Sequence, residues 1–448
     1  MASARYSVGS LAVAVLFTLP WVGIWATGSV GALSTLLQVV VAGAAVLGAS
    51  FLLAWGAETA EKDVPRAFAL AVLAVLAVAP EYAVDALYAF QAGRGDAAAA
   101  DLAVANMTGA NRILIGLGWS GIALFSIYKA RTSGDTAVDT SGDSVLSNAV
   151  KLDKSIATEI LFLTAATVYA FLVPFSLGLG DGPARGIDIV DMVVLVGLYL
   201  TYIFVIVRGD VEESEAHVGV PAYLQGFATR LRVPAVLALF VCSGFLIFTA
   251  VEPFAHGLEE LGLQFGIPEF FMVQWFAPLA SESPELIVTA YLVNKARTTA
   301  AFNALISSKL NQWTLLIGTL VVVYSIALGR YGALPFGQKQ AVEIWLTAAQ
   351  SFFALAVLVD FRISVQESVV LLVLFLSQVV AEFVLIRTLS EAAAESASIT
   401  LLFVFTGVYM VLGLALFSRR LGDVKRVASL SRRQFNGTAD ATELKADD

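Results

Sequence analysis

Twelve apolar runs, each of about 20 residues, dominate the sequence, and a helix of about that length crosses the hydrocarbon core of a bilayer. Of the 448 residues, 58% are hydrophobic and 14% are charged, which is too little polar surface to cover a soluble globule of this size. We therefore predict an all-α, polytopic membrane protein with about 12 transmembrane helices. The predicted spans lie near residues 8–27, 31–56, 66–91, 100–128, 156–179, 187–207, 233–256, 267–293, 299–328, 341–359, 364–386 and 396–418.

The residue types that most cofactors need are scarce. Cys242 is the one cysteine, and His217 and His256 are the two histidines, which excludes a disulfide framework, a haem or iron–sulfur protein and a standard zinc site. The formal net charge of −9 argues against a basic face for nucleic acid. We therefore expect no cofactor and no nucleic-acid partner, and membrane lipid as the surrounding medium.

Lysine and arginine residues orient the chain in the membrane. If the N-terminus is cytoplasmic, twenty of them fall in cytoplasmic segments and five in the outer loops, which is a strong positive-inside bias. Both termini are therefore predicted to be cytoplasmic, with the cell (inner or cytoplasmic) membrane as the location. The first run follows Arg5 and could also be a cleaved signal peptide, although its length and the pair Pro20-Trp21 favour a retained helix.

A polar segment divides the chain into two hydrophobic halves. We interpret this segment as a cytoplasmic hinge loop, and we expect the residues after the last span to form a cytoplasmic, disordered tail. The predicted parts are the first half at 1–208, the hinge at 209–232, the second half at 233–418 and the tail at 419–448.

The two halves contain matching motifs, as expected of an internal repeat. These are Pro80-Glu81 and Pro284-Glu285 in the third and eighth spans, followed in the next span of each half by Asn106 with Arg112 and by Asn303 with Lys309. Repeat 1 covers about residues 66–128 and repeat 2 about residues 267–328. The predicted orientation makes the repeats run in opposite directions, which is an inverted-topology architecture typical of secondary transporters with a site near the bilayer midplane.

The repeat motifs place acids and amides inside apolar spans. A carboxylate in hydrocarbon is costly, so we expect Glu81 and Glu285 to face a cavity or a bound cation. Pro80 and Pro284 cannot donate backbone hydrogen bonds, and they are expected to kink their helices and free carbonyl oxygens for coordination. Such an oxygen set suits a hard cation, and the acids are expected to converge on it. The predicted ion-binding residues are Glu81, Asp85, Asn106, Ser281, Glu282, Glu285 and Asn303, with Glu81 and Glu285 as metal ligands.

The segment ADLAVANMTGAN at 100–111, together with the two Pro-Glu pairs, resembles the α-repeats of the sodium/calcium exchanger superfamily. The family pattern is Gly-Thr-Ser-x-Pro-Glu on one helix and Gly-Asn/Asp-x-x-Gly-Ser-Asn on the next. The resemblance implies a divergent, prokaryotic-type member: a secondary active cation antiporter that works by alternating access, transports calcium, sodium or both, and is not an enzyme. Carried over by position, it implies that Glu81 and Glu285 are central ligands, joined by Asn106 and Asn303.

Departures from the family pattern leave the coupling ion open. Ala77 and Val78 stand where the family has hydroxyl residues, so several expected ligands are missing. Arg112 and Lys309 are charges inside spans, and each compensates the site acids, pairs structurally with a neighbouring acid, or snorkels to the membrane surface. A cation/proton antiporter without sodium coupling is therefore the alternative.

Two further classes are remote alternatives. The segment Gly118-Trp119-Ser120-Gly121 matches the Gly-x-Ser-Gly pattern of intramembrane serine proteases, with His256 as the candidate base. A channel could use the same acids as a selectivity ring, but inverted repeats with kinked helices favour alternating access.

Overall fold

The computed structural model describes residues 2–60, 62–63, 78–133, 136–140, 144–175, 186–208, 219–294 and 296–435, and most of these residues are helical. The helices are α1 (Ala2–Ala26), α2 (Thr35–Ala60), α3 (Ala79–Gly93), α4 (Ala97–Ile113), α5 (Ser120–Ser133), α6 (Ala157–Ala170), α7 (Ile189–Arg208), α8 (Val220–Gln225), α9 (Thr229–Gln264), α10 (Glu269–Phe271), α11 (Ala277–Asn294), α12 (Thr298–Asn311), α13 (Ile317–Leu328), α14 (Gln338–Leu358), α15 (Val365–Thr388), α16 (Glu391–Arg419) and α17 (Leu421–Phe435).

Ten helices within the described ranges are long and apolar enough to cross a membrane. The all-α polytopic fold class is therefore confirmed, whereas the total of twelve spans and the inverted arrangement stay predictions. The ten are α1, α2, α4 continued by α5, α6, α7, α9, α12 continued by α13, α14, α15 and α16.

The two predicted spans outside these ten carry the Pro-Glu pairs. Most of the span at 66–91 lies outside the described residues, which resume at Val78 before α3. The span at 267–293 is helical from Glu269 to Asn294, but polar residues such as Gln274 and Glu282 lower its hydropathy. The helices that length and apolarity identify least well are thus the ones expected to hold the cation.

The chain divides into two compact units, and the first comprises Met1–Leu87 and Gly209–Pro284. In this unit α2 packs against α1 and α9. A Cβ atom at Gly48 would lie 2.6 Å from the Ala14 carbonyl oxygen, and one at Gly43 would lie 2.8 Å from the Phe254 ring. Membrane helices approach closely where their residues are small, so these glycines set how tightly α1 and α9 pack on α2.

An ion pair joins the two chain segments of the first unit. The Arg232 Nε donates to Asp63 Oδ2 at 2.6 Å, and its Nη1 donates to the Phe227 carbonyl oxygen at 2.7 Å. The hydrogen bond from the guanidinium holds the pKa of the Asp63 carboxyl below its usual value. The pair therefore keeps its charge at neutral pH and fixes the start of α9 beside the end of α2.

The second unit comprises Tyr88–Arg208 and Glu285–Asp448, and α14 lies at its centre. This helix is buried along most of its length and packs against α16, α6 and α4. Two small antiparallel sheets, β1–β2–β5 and β3–β4, connect loops at the helix ends. Their strands are β1 (Val138–Asp139), β2 (Ala149–Lys151), β3 (Gly186–Ile187), β4 (Leu334–Pro335) and β5 (Arg362–Ser364).

Two segments predicted to be irregular contain helices. The described part of the predicted hinge, 219–232, holds α8 and the first turn of α9, and residues 209–218 lie outside the described residues. The predicted disorder of the tail is wrong for Leu421–Phe435, which forms α17. Its apolar and basic residues alternate with a helical period, and the buried Val427 lies on the face that packs against α6. Part of the predicted tail is therefore an amphipathic helix.

Three helical stretches contain π-helical segments: Leu114–Trp119 between α4 and α5, Met272–Phe276 between α10 and α11, and Gln312–Leu316 between α12 and α13. Such segments often mark functional sites in helices. In the first of them, Gly116 lies directly against the Phe375 ring of α15.

We predict that Gly116→Ala destabilises the protein by about 1–3 kcal/mol, because the added methyl group would overlap the Phe375 ring in a packed interior. The measurement is the melting temperature of the purified protein in detergent. Gly121→Ala is the matched control, since a Cβ atom there meets nothing within 4 Å. Equal melting temperatures for the two variants would contradict this packing argument.

Candidate cation site

The first-repeat acids lie on α3 in the first unit. Glu81 and Asp85 are 2% and 0% exposed, and their spacing of four residues puts them on one face of the helix. A carboxyl group buried this fully needs a proton, a base or a cation as its partner. The Pro80 side chain lies outside the described side chains, so its predicted kink stays a prediction.

The second-repeat acids lie on α11, where the boundary between the two units falls after Pro284. Glu282 is buried and Glu285 is half-buried. The Ser281 hydroxyl donates to the Pro278 carbonyl oxygen at 3.1 Å, which uses its proton and leaves lone pairs able to coordinate a cation. The side chain of Pro284 is outside the described side chains, and its predicted kink also stays a prediction.

The two repeat asparagines lie on corresponding helices of the second unit. Asn106 is buried on α4, and Asn303 is half-buried on α12. Each helix runs on into a π-helical segment, which begins eight residues after Asn106 and nine after Asn303. This shared departure from α geometry agrees with a repeat origin of the two helices.

Arg112 lies in a buried network that the sequence analysis missed. Its Nη2 lies 2.7 Å from Glu343 Oε2 on α14, and both side chains are at most 1% exposed. Its Nη1 donates to Gln378 Oε1 at 3.3 Å, and Gln378 donates to Glu382 Oε2 at 2.9 Å. Lys339 completes the chain through an ion pair with Glu382 at 3.0 Å. A continuous polar path thus connects α4, α14 and α15.

Lys309 joins the two asparagine helices. It is fully buried, and its Nζ donates to the Asn111 side-chain oxygen at 2.7 Å and to the Asn111 carbonyl oxygen at 3.3 Å. The same ammonium lies 4.4 Å from the centre of the Trp313 ring, which is a favourable cation–π distance. Lys309 on α12 therefore binds α4 directly.

These contacts refine what the sequence predicted for the two bases. Arg112 has Glu343 as a structural acid partner, which is one of the interpretations that the sequence left open, and the burial of both bases argues against snorkelling. Charge compensation of the repeat acids by Arg112 and Lys309 stays a prediction. The signal for Glu343 and Glu382 was present, because both are acids inside predicted apolar spans, and such acids are rarely incidental.

The protease alternative gains no support from the side chains. The Ser120 hydroxyl donates to the carbonyl oxygen of Gly116, one turn earlier on its own helix, as serines in membrane helices commonly do. His256 is exposed in the first unit, 3.7 Å from Glu260. Neither contact resembles the activation of a serine nucleophile by a base.

Within the described ranges, no group of three or more His, Cys, Asp or Glu side chains is placed to hold a metal ion. The convergence of the repeat acids around one cation therefore stays a prediction, as do the metal-ligand roles of Glu81 and Glu285.

The apolar helices and the intramembrane acids and amides together define an integral membrane transporter. A family model described as "Sodium/calcium exchanger protein" matches residues 33–208 and 235–384. The chain therefore belongs to the sodium/calcium exchanger family, which is a family of transporters rather than enzymes.

Solved structures agree with this assignment. The crystal structure of the H+/Ca2+ exchanger CAX is 40% identical with a TM-score of 0.83, over 96% of this chain and 98% of that one. The Ca2+/H+ antiporter protein YfkE is 14% identical with a TM-score of 0.57, over 83% and 99% of the chains. The sodium-calcium exchanger NCX_Mj is 16% identical with a TM-score of 0.51, over 80% and 100%; the last two show the fold alone. Among curated proteins, none matches the chain.

We predict that Arg112→Met and Glu343→Gln each destabilise the protein by about 3–5 kcal/mol, because each leaves a buried charge uncompensated. The double variant Arg112→Met/Glu343→Gln should lose less than the sum of the single changes. Melting temperatures in detergent provide the comparison. The matched control is the pair of exposed Arg362 and half-buried Asp139, 3.1 Å apart, where Arg362→Met should cost about 1 kcal/mol or less. Additive losses at Arg112 and Glu343 would contradict a coupled pair.

Proposed function

We propose that the protein is a calcium/proton antiporter. The observation that carries the proposal is the similarity to the H+/Ca2+ exchanger CAX, which extends over nearly the whole of both chains. Similarity of that extent includes the repeat helices and the helices that surround them. Calcium is therefore the proposed transported cation and the proton the proposed counter-ion.

The residues of the repeats suit this exchange. Glu81 and Glu285 are carboxylates that can bind a hard cation only when deprotonated, so protons and calcium compete for them. The hydroxyl residues that precede Pro-Glu in the family pattern are replaced by Ala77 and Val78 in the first repeat, which removes oxygen ligands that would suit sodium. Alternate loading of the same acids with calcium and with protons, on alternate sides of the membrane, constitutes antiport.

The proposed location is the cell membrane, with both termini in the cytoplasm. It rests on the excess of Lys and Arg in the segments assigned to the cytoplasmic side and on the positive-inside rule.

Sodium coupling is the second candidate, because the matching family model describes sodium/calcium exchangers.

Flux into vesicles that contain the purified protein separates the two candidates. We predict that a proton gradient, acidic inside, drives calcium uptake without sodium, and that a protonophore abolishes it. Uptake that requires a sodium gradient and ignores the protonophore would instead support sodium/calcium exchange.

We predict that Glu81→Gln and Glu285→Gln each reduce calcium exchange to the level of protein-free vesicles, since glutamine keeps the shape of the side chain and removes its charge. The variants should remain folded, as judged by their melting temperatures. Glu391→Gln, which removes an exposed acid at the start of α16, is the control and should transport normally. Retained exchange in both repeat variants would disprove the proposed roles of these acids.

A further inference from the structure

Glu159 is an intramembrane acid that neither repeat contains. It lies in the first turn of α6, where its Oε1 accepts a hydrogen bond from the Tyr202 hydroxyl of α7 at 3.2 Å. Its Oε2 is buried without a hydrogen-bond partner. A local contact with its own backbone N–H is the other described interaction. Across the described ranges, no Lys, Arg or His forms an ion pair with it.

Other acids within the spans of the second unit have partners that stabilise a carboxylate. Each has a base or a backbone N–H within reach: Glu343 has Arg112, Glu382 has Lys339, Asp191 has the Asp188 N–H and the Tyr169 hydroxyl, and Asp101 has the Gly337 N–H. An ionised Glu159 would lie in a region of low dielectric constant. Its negative charge would be stabilised there only by one neutral hydroxyl group and by its own backbone N–H. Such a carboxylate is costly, so we expect Glu159 to bind a proton instead of remaining ionised.

The charged and titratable groups of the elements packed against α6 do not supply another partner. Among the described side chains, these groups are Asp191, Tyr199 and Tyr202 on α7, Lys309 on α12, Lys339 and Glu343 on α14, Lys154 in the turn before α6, and Asp423, Lys425, Arg426, Arg432 and Arg433 on α17. Lys309 binds Asn111, and Glu343 binds Arg112. The four bases of α17 are exposed. Tyr202 is thus the titratable group that contacts the acid.

The helix that holds Glu159 packs against the second repeat, because α6 contacts α12. The single proton of the Tyr202 hydroxyl is donated to Glu159. Glu159 is half-buried, and it therefore lies on a helix that contacts the helix of a predicted cation ligand, Asn303.

From this geometry we propose that Glu159 is a proton-binding site of the exchanger, on a helix that packs against the second-repeat helix α12. The proposal deepens the calcium/proton antiport proposed above and rests on it for its role in transport. A cation bound near Asn303 favours the ionised acid, which then releases one proton. By reciprocity, a protonated Glu159 weakens cation binding.

The predicted topology gives this proton a route. The start of α6 follows Lys151 and Lys154, which belong to a segment assigned to the cytoplasmic side. Protons leaving or reaching Glu159 would therefore exchange with the cytoplasm.

The first test needs no transport. Infrared spectra of the purified protein across a pH titration should contain a protonated carboxylic-acid band that Glu159→Gln lacks and that Glu391→Gln keeps. Identical bands in all three proteins would overturn the proposal, whatever the protein transports.

The second test counts protons per calcium ion in vesicles with a trapped pH dye and radioactive calcium. Glu159→Gln should exchange calcium with one proton fewer per ion and with a flatter pH profile of transport.

Tyr202→Phe should keep the proton count and shift the pH profile of transport towards higher pH by about one unit, because the ionised Glu159 loses its hydrogen-bond donor. An unchanged count and profile in an active Glu159→Gln protein overturns the Glu159 assignment alone, whereas absence of calcium exchange in the unaltered protein overturns the proposed function.

Discussion

A charge inside a membrane must be matched, and this requirement determines much of how the second unit is built. Lipid chains are as apolar as leucine side chains, so apolar burial alone does little to hold membrane helices together. The path from Lys339 through Glu382 and Gln378 to Arg112 and Glu343 supplies directional contacts instead. Removing any charged member would leave its neighbour unmatched, so the path fixes α4, α14 and α15 in one arrangement.

The two repeat bases, Arg112 and Lys309, meet this requirement by connecting different helices. Arg112 ties α4 outward to α14 and α15, whereas Lys309 ties α12 to α4 through Asn111. Asn106 and Asn303 therefore lie on helices that are linked directly to each other. A transporter that moves such helices during its cycle must move them together or break a buried ammonium contact, and the second option is expensive.

The sequence predicted the class of fold well and the surroundings of the site poorly, for physical reasons. Length and apolarity suffice to find a span such as α15, because the bilayer imposes both. The helix of Glu282 was also predicted, at 267–293, although the polar residues that a cation site needs lower its hydropathy. The acids Glu81 and Glu285 were identified as candidates because their Pro-Glu motifs repeat.

Glu343 was missed because its ion pair with Arg112 joins residues more than two hundred positions apart, which no local pattern reveals. The tail was predicted to be disordered, but the helical period of its apolar residues supports a helix at Leu421–Phe435.

The π-helical segments change which side chains of the repeat helices lie on the same face. One extra residue in a turn rotates everything that follows by about 100° relative to an ideal α-helix. Residues of α4 and α5, which belong to one continuous span, therefore follow two different angular phases, separated at Leu114–Trp119. A single helical wheel drawn through 97–130 would assign the wrong side of the second half to lipid. The span therefore presents two surfaces with different orientations, and the π-helical segment between them contacts α15, where Gly116 meets Phe375.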